Sequence, residues 1–407
     1  MSSLSSTKMG LCMLLFRPLT GTSMLCCHKR SPTSASSSNA AVSTNLARGM
    51  SAMAGQRRRH PSAMDFLDLK EVKTAESCKE FRRFIADPAL AQIVLKSLKP
   101  WDQKGASPLI IECNPGPGIV TRMLLDTGAR VAALESNTRF HPSLKALQNG
   151  CDGQLEVVHC DFFRLDPLGQ GTMCRPAMYS DELFESLGQL PVPWTEDVPI
   201  KVFGFLPHKN ERNMLWKNIF SLYERISIYQ YGRVQLNMFM SESQYKKLIS
   251  EPGDMRNYMA LSVLYQASCD IELLHMEPWS SFMIPSRFRG MSIPKSAYIP
   301  NDHLCLVQIT PQRNLFNQNF TSRNATSFIC MIRQCLAKRK AILADRLNSW
   351  DPGNGHKLLS QLQLPDDILA GNIYPQQYKS IFEAMQHSED FSSLLYNEIY
   401  DHDRCGF

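Results

Sequence analysis

The residues best suited to bind a ligand lie in a glycine-rich turn near the middle of the first half of the chain. The turn spans Glu112–Gly118 (ECNPGPG) and follows the apolar run Leu109–Ile111. Gly116 and Gly118 have no side chains, so backbone N–H groups and the start of a following helix can approach a ligand closely. This order of strand, turn and helix predicts a cradle for a nucleotide-type cofactor, although the glycines alone also fit a plain tight turn.

Two acidic residues end the strand-like runs that follow this turn. Glu135 comes after Arg130–Leu134, and Asp161 comes after Leu155–Cys160. The carboxyl ends of parallel strands meet at one edge of a sheet, where an acid can accept both hydroxyls of a ribose. Glu135 follows Gly118 at close to the roughly 20-residue spacing of nucleoside-binding units. We therefore expect both acids to line the same crevice, with a solvated surface acid as the alternative for Glu135.

These motifs resemble those of the S-adenosylmethionine-dependent rRNA adenine N6-dimethyltransferases. The first motif of that family is similar to E-I-G-P-G-x-G, whose first glycine is replaced here by Asn114. The resemblance implies an α/β fold, a Rossmann-like methyltransferase sheet with a smaller C-terminal all-helical domain, and S-adenosyl-L-methionine as cofactor. It also implies that Glu135 holds the ribose hydroxyls and Asp161 the adenine amino group. The full set of implied cofactor contacts is Ile85, Asn114, Gly116, Gly118, Glu135 and Asp161.

The segment before the turn carries a second part of the resemblance. Phe84–Pro88 (FIADP) is similar to the family's opening F-L-x-D-P, which implies that Ile85 contacts the cofactor. An ordinary core position is the alternative for this isoleucine. Arg82 and Arg83 stand where the family carries Gln-Asn, so the chain departs from the pattern directly before this motif.

The loop that should hold the target base departs further from the family. Residues 204–208 (GFLPH) follow a strand-like run and stand where the family has N-L-P-Y. In the family, the Asn side chain and the Pro carbonyl accept hydrogen bonds from the adenine amino group, and the aromatic ring stacks on the flipped base. Phe205 cannot accept such a bond, and His208 offers a smaller ring. One acceptor remains, the carbonyl of Leu206 or Pro207. Losing the other costs about 1–3 kcal/mol, roughly tenfold to a few hundredfold in rate.

Further segments are similar to mitochondrial members of the family that act in transcription initiation. They are His275–Phe282 (HMEPWSSF) and Gln312–Phe316 (QRNLF). The resemblance implies that the chain binds and opens promoter DNA, including its unpaired strand, with the mitochondrial RNA polymerase in the matrix nucleoid. A mitochondrial HMG-box transcription factor and small-subunit rRNA are further implied partners. The alternative is an active mitochondrial small-subunit rRNA adenine N6-dimethyltransferase. Trp279 and Phe282 would stack on unpaired bases or pack between two domains.

The composition divides the 407 residues unevenly. Residues 1–64 contain eight Lys or Arg and no Asp or Glu, so the rest of the chain carries 36 basic and 38 acidic groups. This predicts a disordered mitochondrial transit peptide over residues 1–62, against a secretory signal or an uncleaved arm. Nucleic-acid binding then requires a local basic patch. The 13 cysteines form no CxxC pair, which argues against a zinc site, and no long apolar run indicates a membrane span.

Two domains are expected after the transit peptide. Residues 63–310 form the methyltransferase domain, with helical periodicity over Ser77–Leu98 and a long irregular insertion over Asp166–Val198. Residues 311–407 form a helical domain that ends in an acidic tail.

One predicted element of the second domain matters for function. Thr326–Trp350 is predicted as an amphipathic helix with Lys338 and Arg339 on its basic side. These two residues either bind nucleic-acid phosphates or form a solvated helix face. Further helices are predicted at Tyr378–Met385 and Asp390–Tyr400.

Overall fold

A computed structural model of the chain describes residues 69–99, 107–167, 176–290 and 300–386. The predicted transit peptide over residues 1–62, the helix at Asp390–Tyr400 and the acidic tail lie outside these residues. The boundary at residue 62 also lies outside them, and the domain boundary at residue 310 stays a prediction.

A seven-stranded sheet forms the centre of the molecule, in the order β3-β2-β1-β4-β5-β7-β6. The first five strands in this order run parallel, whereas β7 runs antiparallel to both β5 and β6. The strands are β1 Leu109–Cys113, β2 Val131–Leu134, β3 Leu155–Val158, β4 Ile200–Phe205, β5 Gln235–Ser241, β6 Cys269–Pro278 and β7 His303–Pro311. The predicted methyltransferase sheet is confirmed.

The connection order changes direction at β1, because β2 lies on one side of it and β4 on the other. A crevice forms outside the carboxyl ends of parallel strands at such a point. Cys113 at the end of β1 pairs with Leu134 at the end of β2. The glycine turn and Glu135 are consequently neighbours at this edge, as the sequence predicted.

Helices cover both faces of the sheet. Ile110 lies in one hydrophobic cluster, whereas its neighbours Leu109 and Ile111 lie in the other. This alternation places the two clusters on opposite faces. The helices before β6 are α1 Leu69–Glu76, α2 Pro88–Leu98, α3 Ile119–Asp126, α4 His141–Asn149, α5 Ser180–Ser186, α6 Glu211–Glu224, α7 Glu242–Leu248 and α8 Ala260–Ser268.

Two predictions for the first domain were wrong in part. The helix predicted over Ser77–Leu98 begins only at Pro88, because Asp87 caps it by accepting a hydrogen bond from the N–H of Ala89 at 2.9 Å. Proline at the first helical position and aspartate before it are a start signal that apolar periodicity does not show. The insertion predicted as irregular contains α5.

The C-terminal region is helical, with α9 Ala325–Ala337, α10 Leu343–Asn348, α11 Gly355–Gln361 and α12 Pro375–Met385. The helix predicted over Thr326–Trp350 was wrong as one continuous element, because it is interrupted after Ala337 and resumes only at Leu343 as α10. Past that residue the chain leaves the helix and pairs with a distant segment: the Arg339 carbonyl accepts a hydrogen bond from Gly371 N at 2.8 Å, and Ile342 bridges Leu369. Lys338 and Arg339 therefore lie in a turn after α9.

Within the described residues, no helix combines the length and apolar character needed to cross a lipid bilayer. Across the same ranges, no three or more His, Cys, Asp or Glu side chains come together in a way that could hold a metal ion.

Candidate cofactor cradle and target-base loop

The turn between β1 and α3 has the backbone conformation that its residues favour. Asn114, Gly116 and Gly118 adopt positive φ angles of 54°, 61° and 76°. Asparagine is one of the few residues with a side chain that tolerates this region. Its side-chain oxygen accepts hydrogen bonds from Ser136, at 3.1 Å from the backbone N–H and 2.6 Å from the hydroxyl. Asn114 thus ties the turn to the loop after β2, which explains how the chain accommodates the loss of the family's first glycine.

The Glu135 carboxylate is completely buried and fully hydrogen-bonded within the protein. Two backbone N–H groups donate to it, Gly116 at 3.0 Å and Asn137 at 2.6 Å. The guanidinium of Arg82 donates to both carboxylate oxygens, at 2.9 Å each. An ionised carboxylate offers about four lone-pair sites. All of them are therefore used by groups of this chain.

Arg82 is held at this position by further contacts. It donates a third hydrogen bond to the carbonyl of Asn114 at 3.1 Å, and its side chain is 10% exposed. The guanidinium also lies 5.5 Å from the ring centre of Phe84 and 5.4 Å from that of Phe140. Burial acts to lower the pKa of Arg82, but the charge and hydrogen bonds of Glu135 outweigh it and raise the pKa above its usual value. The arginine is charged at every accessible pH.

Asp161 lies at the same edge, after β3. Its side chain accepts a hydrogen bond from Phe163 N at 3.1 Å and pairs with Arg164 at 3.3 Å. Burial raises its pKa, whereas the Phe163 N–H and the charges of Arg164 and Arg82 act against that rise. The influence of Arg82 shows that the two predicted cofactor-binding acids share one electrostatic environment.

The absence of a side chain at Gly116 leaves space beside the turn, but the Phe84 ring of the same chain fills that space. A Cβ atom at Gly116 would lie 2.5 Å from the Phe84 ring. The neighbouring Ile85 is 7% exposed and belongs to the hydrophobic cluster on that face. The structure thus places Ile85 in the core next to the cradle, and its contact with a cofactor stays a prediction.

The residues of the target-base loop pack among other aromatic rings. Phe205 stacks on Phe239 with ring centres 4.9 Å apart and meets Phe282 edge-on at 5.4 Å. Leu206 is buried, and the Pro207 carbonyl already accepts a hydrogen bond from Asn210 N at 2.8 Å. Phe205 is therefore part of a packed aromatic cluster, and only backbone carbonyls of the loop offer acceptors.

His208 ends this loop beside Arg83 and two aromatic rings. Its Nδ1 lies 3.2 Å from the Arg83 guanidinium, which can only donate, so Nδ1 is the acceptor and the proton of the neutral ring is on Nε2. Burial lowers the His208 pKa, and the charges of Arg83 and Lys209 lower it further. Arg83 also lies 4.2 Å from the ring centre of Trp279. His208, the ring predicted to stack on a base, is therefore already bound by the Arg83 guanidinium.

The aromatic residues of the HMEPWSSF segment separate into two cases. Phe282 is buried and packs within the sheet domain, which favours a packing role over base stacking and places its contacts away from a domain boundary. Trp279 is half-buried beside Arg83 and His208, so it packs against the target-base loop.

Comparisons with known proteins show the family of this chain. The sequence profile of the family described as ribosomal RNA adenine dimethylase matches residues 80–387. The chain belongs to this family. It is 40% identical to "Dimethyladenosine transferase 2, mitochondrial" of Homo sapiens over 81% of this chain and 83% of that protein, and 41% identical to the Mus musculus protein of the same name over 82% and 85%. A crystal structure of a dimethyladenosine transferase from Plasmodium falciparum is similar with a TM-score of 0.48 at 14% identity, covering 73% of this chain and 95% of that one.

The family identity settles the cofactor class. S-adenosyl-L-methionine is the cofactor of the rRNA adenine dimethylases, and that prediction is confirmed for the family. The cradle holds the glycine turn and the two predicted acids at one edge of the sheet. The predicted contact between Glu135 and a ribose does not fit the chain as it is folded, because Arg82 occupies the hydrogen-bonding sites of that carboxylate.

Lys338 and Arg339, the predicted nucleic-acid-binding pair, differ in exposure and in contacts. Lys338 is exposed, whereas Arg339 is half-buried and donates to the carbonyls of Arg256 at 3.1 Å and Tyr258 at 3.3 Å. Arg339 therefore fastens the turn to the loop before α8. Only Lys338 of the two presents its charge to solvent.

Sequence reasoning noticed Arg82 and Arg83 only as departures from the family's Gln-Asn. Their roles depend on partners far along the chain, namely Glu135 for Arg82 and His208 with Trp279 for Arg83. The available signal was the substitution of two neutral amides by two cations next to a predicted pair of acids.

Proposed function

We propose that this chain is a mitochondrial transcription initiation factor that works with the mitochondrial RNA polymerase to bind and open promoter DNA. It would act in the matrix nucleoid, on an rRNA adenine dimethyltransferase fold with weak methyl transfer. The proposal follows the resemblance to the second paralogue of mitochondrial transcription factor B. Its relatives named as mitochondrial agree with the compartment. An HMG-box transcription factor would be a further partner at the promoter.

The observation that carries the proposal is the packing of Phe205. Attack by an adenine amino group needs acceptors that hold its N–H bonds, and the family's Asn supplies one of them. Here a phenyl ring stacked on Phe239 takes that position. Loss of the acceptor slows methyl transfer by roughly tenfold to a few hundredfold. A methyltransferase fold that is retained while methyl transfer is weakened favours a role in binding nucleic acid.

Lys338 is the better candidate for a contact with the separated DNA strands. Its charge is exposed, and Lys340 two residues later is also exposed. Each phosphate neutralised by such a side chain contributes about −0.7 to the slope of log K against log salt for a single strand, or about −0.9 for duplex. Arg339 would support this contact by fixing the turn.

The second candidate function is an active dimethyltransferase of mitochondrial small-subunit rRNA. It is favoured by the family and by the names of the relatives, which describe dimethyladenosine transferases. The same chain could retain this activity at a low rate, because the Leu206 and Pro207 carbonyls remain in the loop.

A transcription assay on two templates tests the proposal. The mitochondrial RNA polymerase is assayed with and without the full chain, on a linear duplex promoter and on the same promoter with a pre-opened mismatched bubble. We expect stimulation on the closed duplex and little on the bubble, because the bubble removes the need for strand opening. Equal stimulation on both templates would exclude strand opening, and no stimulation on either would exclude the initiation function.

A further inference from the structure

We propose that Arg82 is an internal substitute for the ribose of the cofactor. Its side chain occupies the part of Glu135 that would bind a ribose diol, so S-adenosyl-L-methionine can enter the cradle only after Arg82 has left. This inference concerns cofactor affinity. It goes beyond the proposed role in transcription and does not depend on it.

The hydrogen-bond geometry matches that of a diol. Neighbouring ribose hydroxyls would each donate to one oxygen of the carboxylate, and Nη1 and Nη2 of Arg82 do the same at 2.9 Å each. Backbone N–H groups of Gly116 and Asn137 use the remaining acceptor sites. A ribose and Arg82 therefore compete for the same two positions on Glu135.

Charge and burial favour the arginine in this competition. Arginine adds the attraction of opposite charges and a two-pronged geometry to its hydrogen bonds with a carboxylate, whereas hydroxyls are neutral donors. The guanidinium also lies against both the Phe84 and the Phe140 ring, and it donates to the Asn114 carbonyl. Removing it would leave the Glu135 charge buried without a cation. The cofactor must therefore displace a stable Arg82–Glu135 pair, and this lowers its affinity.

The backbone on both sides of Arg82 is fastened, which keeps the side chain in place. Phe84 and Met283 exchange two backbone hydrogen bonds, at 2.9 and 3.0 Å. On the other side, Arg139 binds the carbonyl and the hydroxyl of Ser77 at 3.1 and 2.8 Å. The pair between Phe84 and Met283 is only two residues from Arg82, so it holds the backbone at the cradle whether or not the Ser77 contact is made. Opening of the site thus requires the Arg82 side chain itself to swing out.

Calorimetric titration of the full chain with S-adenosyl-L-methionine and with S-adenosylhomocysteine tests this inference. Arg82→Gln restores the residue type of the family and should bind both compounds about tenfold or more tightly than the wild type. Arg139→Gln is the matched control, since Arg139 also ties the N-terminal segment to the loop after β2 but does not touch Glu135. Its affinity should equal that of the wild type.

Equal affinity of the wild type and Arg82→Gln would overturn the inference. An equal gain in Arg139→Gln would also overturn it, because loosening of the segment would then explain the effect. If Arg82→Gln does not fold, Arg82→Lys keeps the charge but loses the two-pronged contact; tighter binding than the wild type supports the inference, and unchanged binding contradicts it. Transcription without cofactor is measured on the same variants, so a failure of the proposed function is recognised separately.

Discussion

Glu112 is a second buried acid of the cradle, at the fourth position of β1. It is 3% exposed, and the Thr121 hydroxyl donates to its carboxylate at 2.6 Å. Burial raises its pKa to about 7, the Glu135 charge adds to that rise, and the Thr121 hydrogen bond opposes it. The folded chain therefore holds the proton of this group to a higher pH than an unfolded chain does.

This shift predicts how stability depends on pH. From the ordinary value of 4.5 up to about 7 the folded state keeps a proton that the unfolded state has lost, so the stability that this group contributes is complete below 4.5 and is lost as the pH rises through 7. The loss is about 3 kcal/mol. Glu112→Gln should flatten the fall in the free energy of unfolding between pH 5 and 8, measured by urea denaturation.

The exposed carboxylate of Glu156 on β3 gives a control for that experiment. Glu156→Gln should leave the pH profile of the wild type unchanged. If Glu112→Gln also kept the full fall in stability between pH 5 and 8, another group would be responsible and the assignment to Glu112 would be wrong.

At the residue scale, the sequence predicted positions better than partners. The turn, Glu135 and Asp161 lie at one edge because the strand ends determine where they go. That Arg82 neutralises Glu135 could not be predicted, because this pair joins residues 53 positions apart through the approach of two segments. The departure from the family pattern drew attention to position 82, but it did not show that Arg82 contacts Glu135.

At the scale of elements, the basic turn after α9 contains two adjacent cations with different roles. Arg339 is hydrogen-bonded within the protein, and Lys338 is exposed. Arg339→Ala removes two hydrogen bonds from a charged donor to the Arg256 and Tyr258 carbonyls. We expect a loss of about 1.5–3 kcal/mol in the free energy of unfolding. Lys338→Ala should change it by less than about 0.5 kcal/mol, because the side chain is exposed.

The same two variants separate stability from nucleic-acid binding. Lys338→Ala should weaken binding of single-stranded DNA and reduce the magnitude of its salt slope by about 0.7, as measured by fluorescence anisotropy over a range of salt. An unchanged slope would remove Lys338 from the nucleic-acid site. An Arg339→Ala variant with the free energy of unfolding of the wild type would show that Arg339 does not stabilise the turn.

Buried strands were predicted well, and helix boundaries were not. Apolar runs marked the strands, whereas apolar periodicity placed the start of α2 too early although the cap at Asp87 is present in the sequence. The end of α9 was not readable, because residues 338–340 are good helix formers. The chain leaves the helix there because Arg339, Ala341 and Ile342 pair with residues 369–371, which only the folded chain brings near.

At the scale of the whole molecule, the sheet and the C-terminal helices share one hydrophobic cluster. Residues of α9 and α12 belong to the same cluster as Val202 of β4 and Leu236 of β5. The predicted helical region is therefore present but packs on the sheet face without a separate core among the described residues. A continuous core on both sides of the basic turn fixes its position relative to the sheet.

The most direct test of the proposed function compares two activities of one preparation of the full chain. Initiation by the mitochondrial RNA polymerase is measured on a linear duplex promoter without cofactor, and transfer of labelled methyl groups from S-adenosyl-L-methionine is measured on a small-subunit rRNA hairpin. We expect clear stimulation of initiation, and methyl transfer roughly tenfold to a few hundredfold slower than that of a family member with the N-L-P-Y loop. Rapid dimethylation of the hairpin with no effect on the polymerase would contradict it.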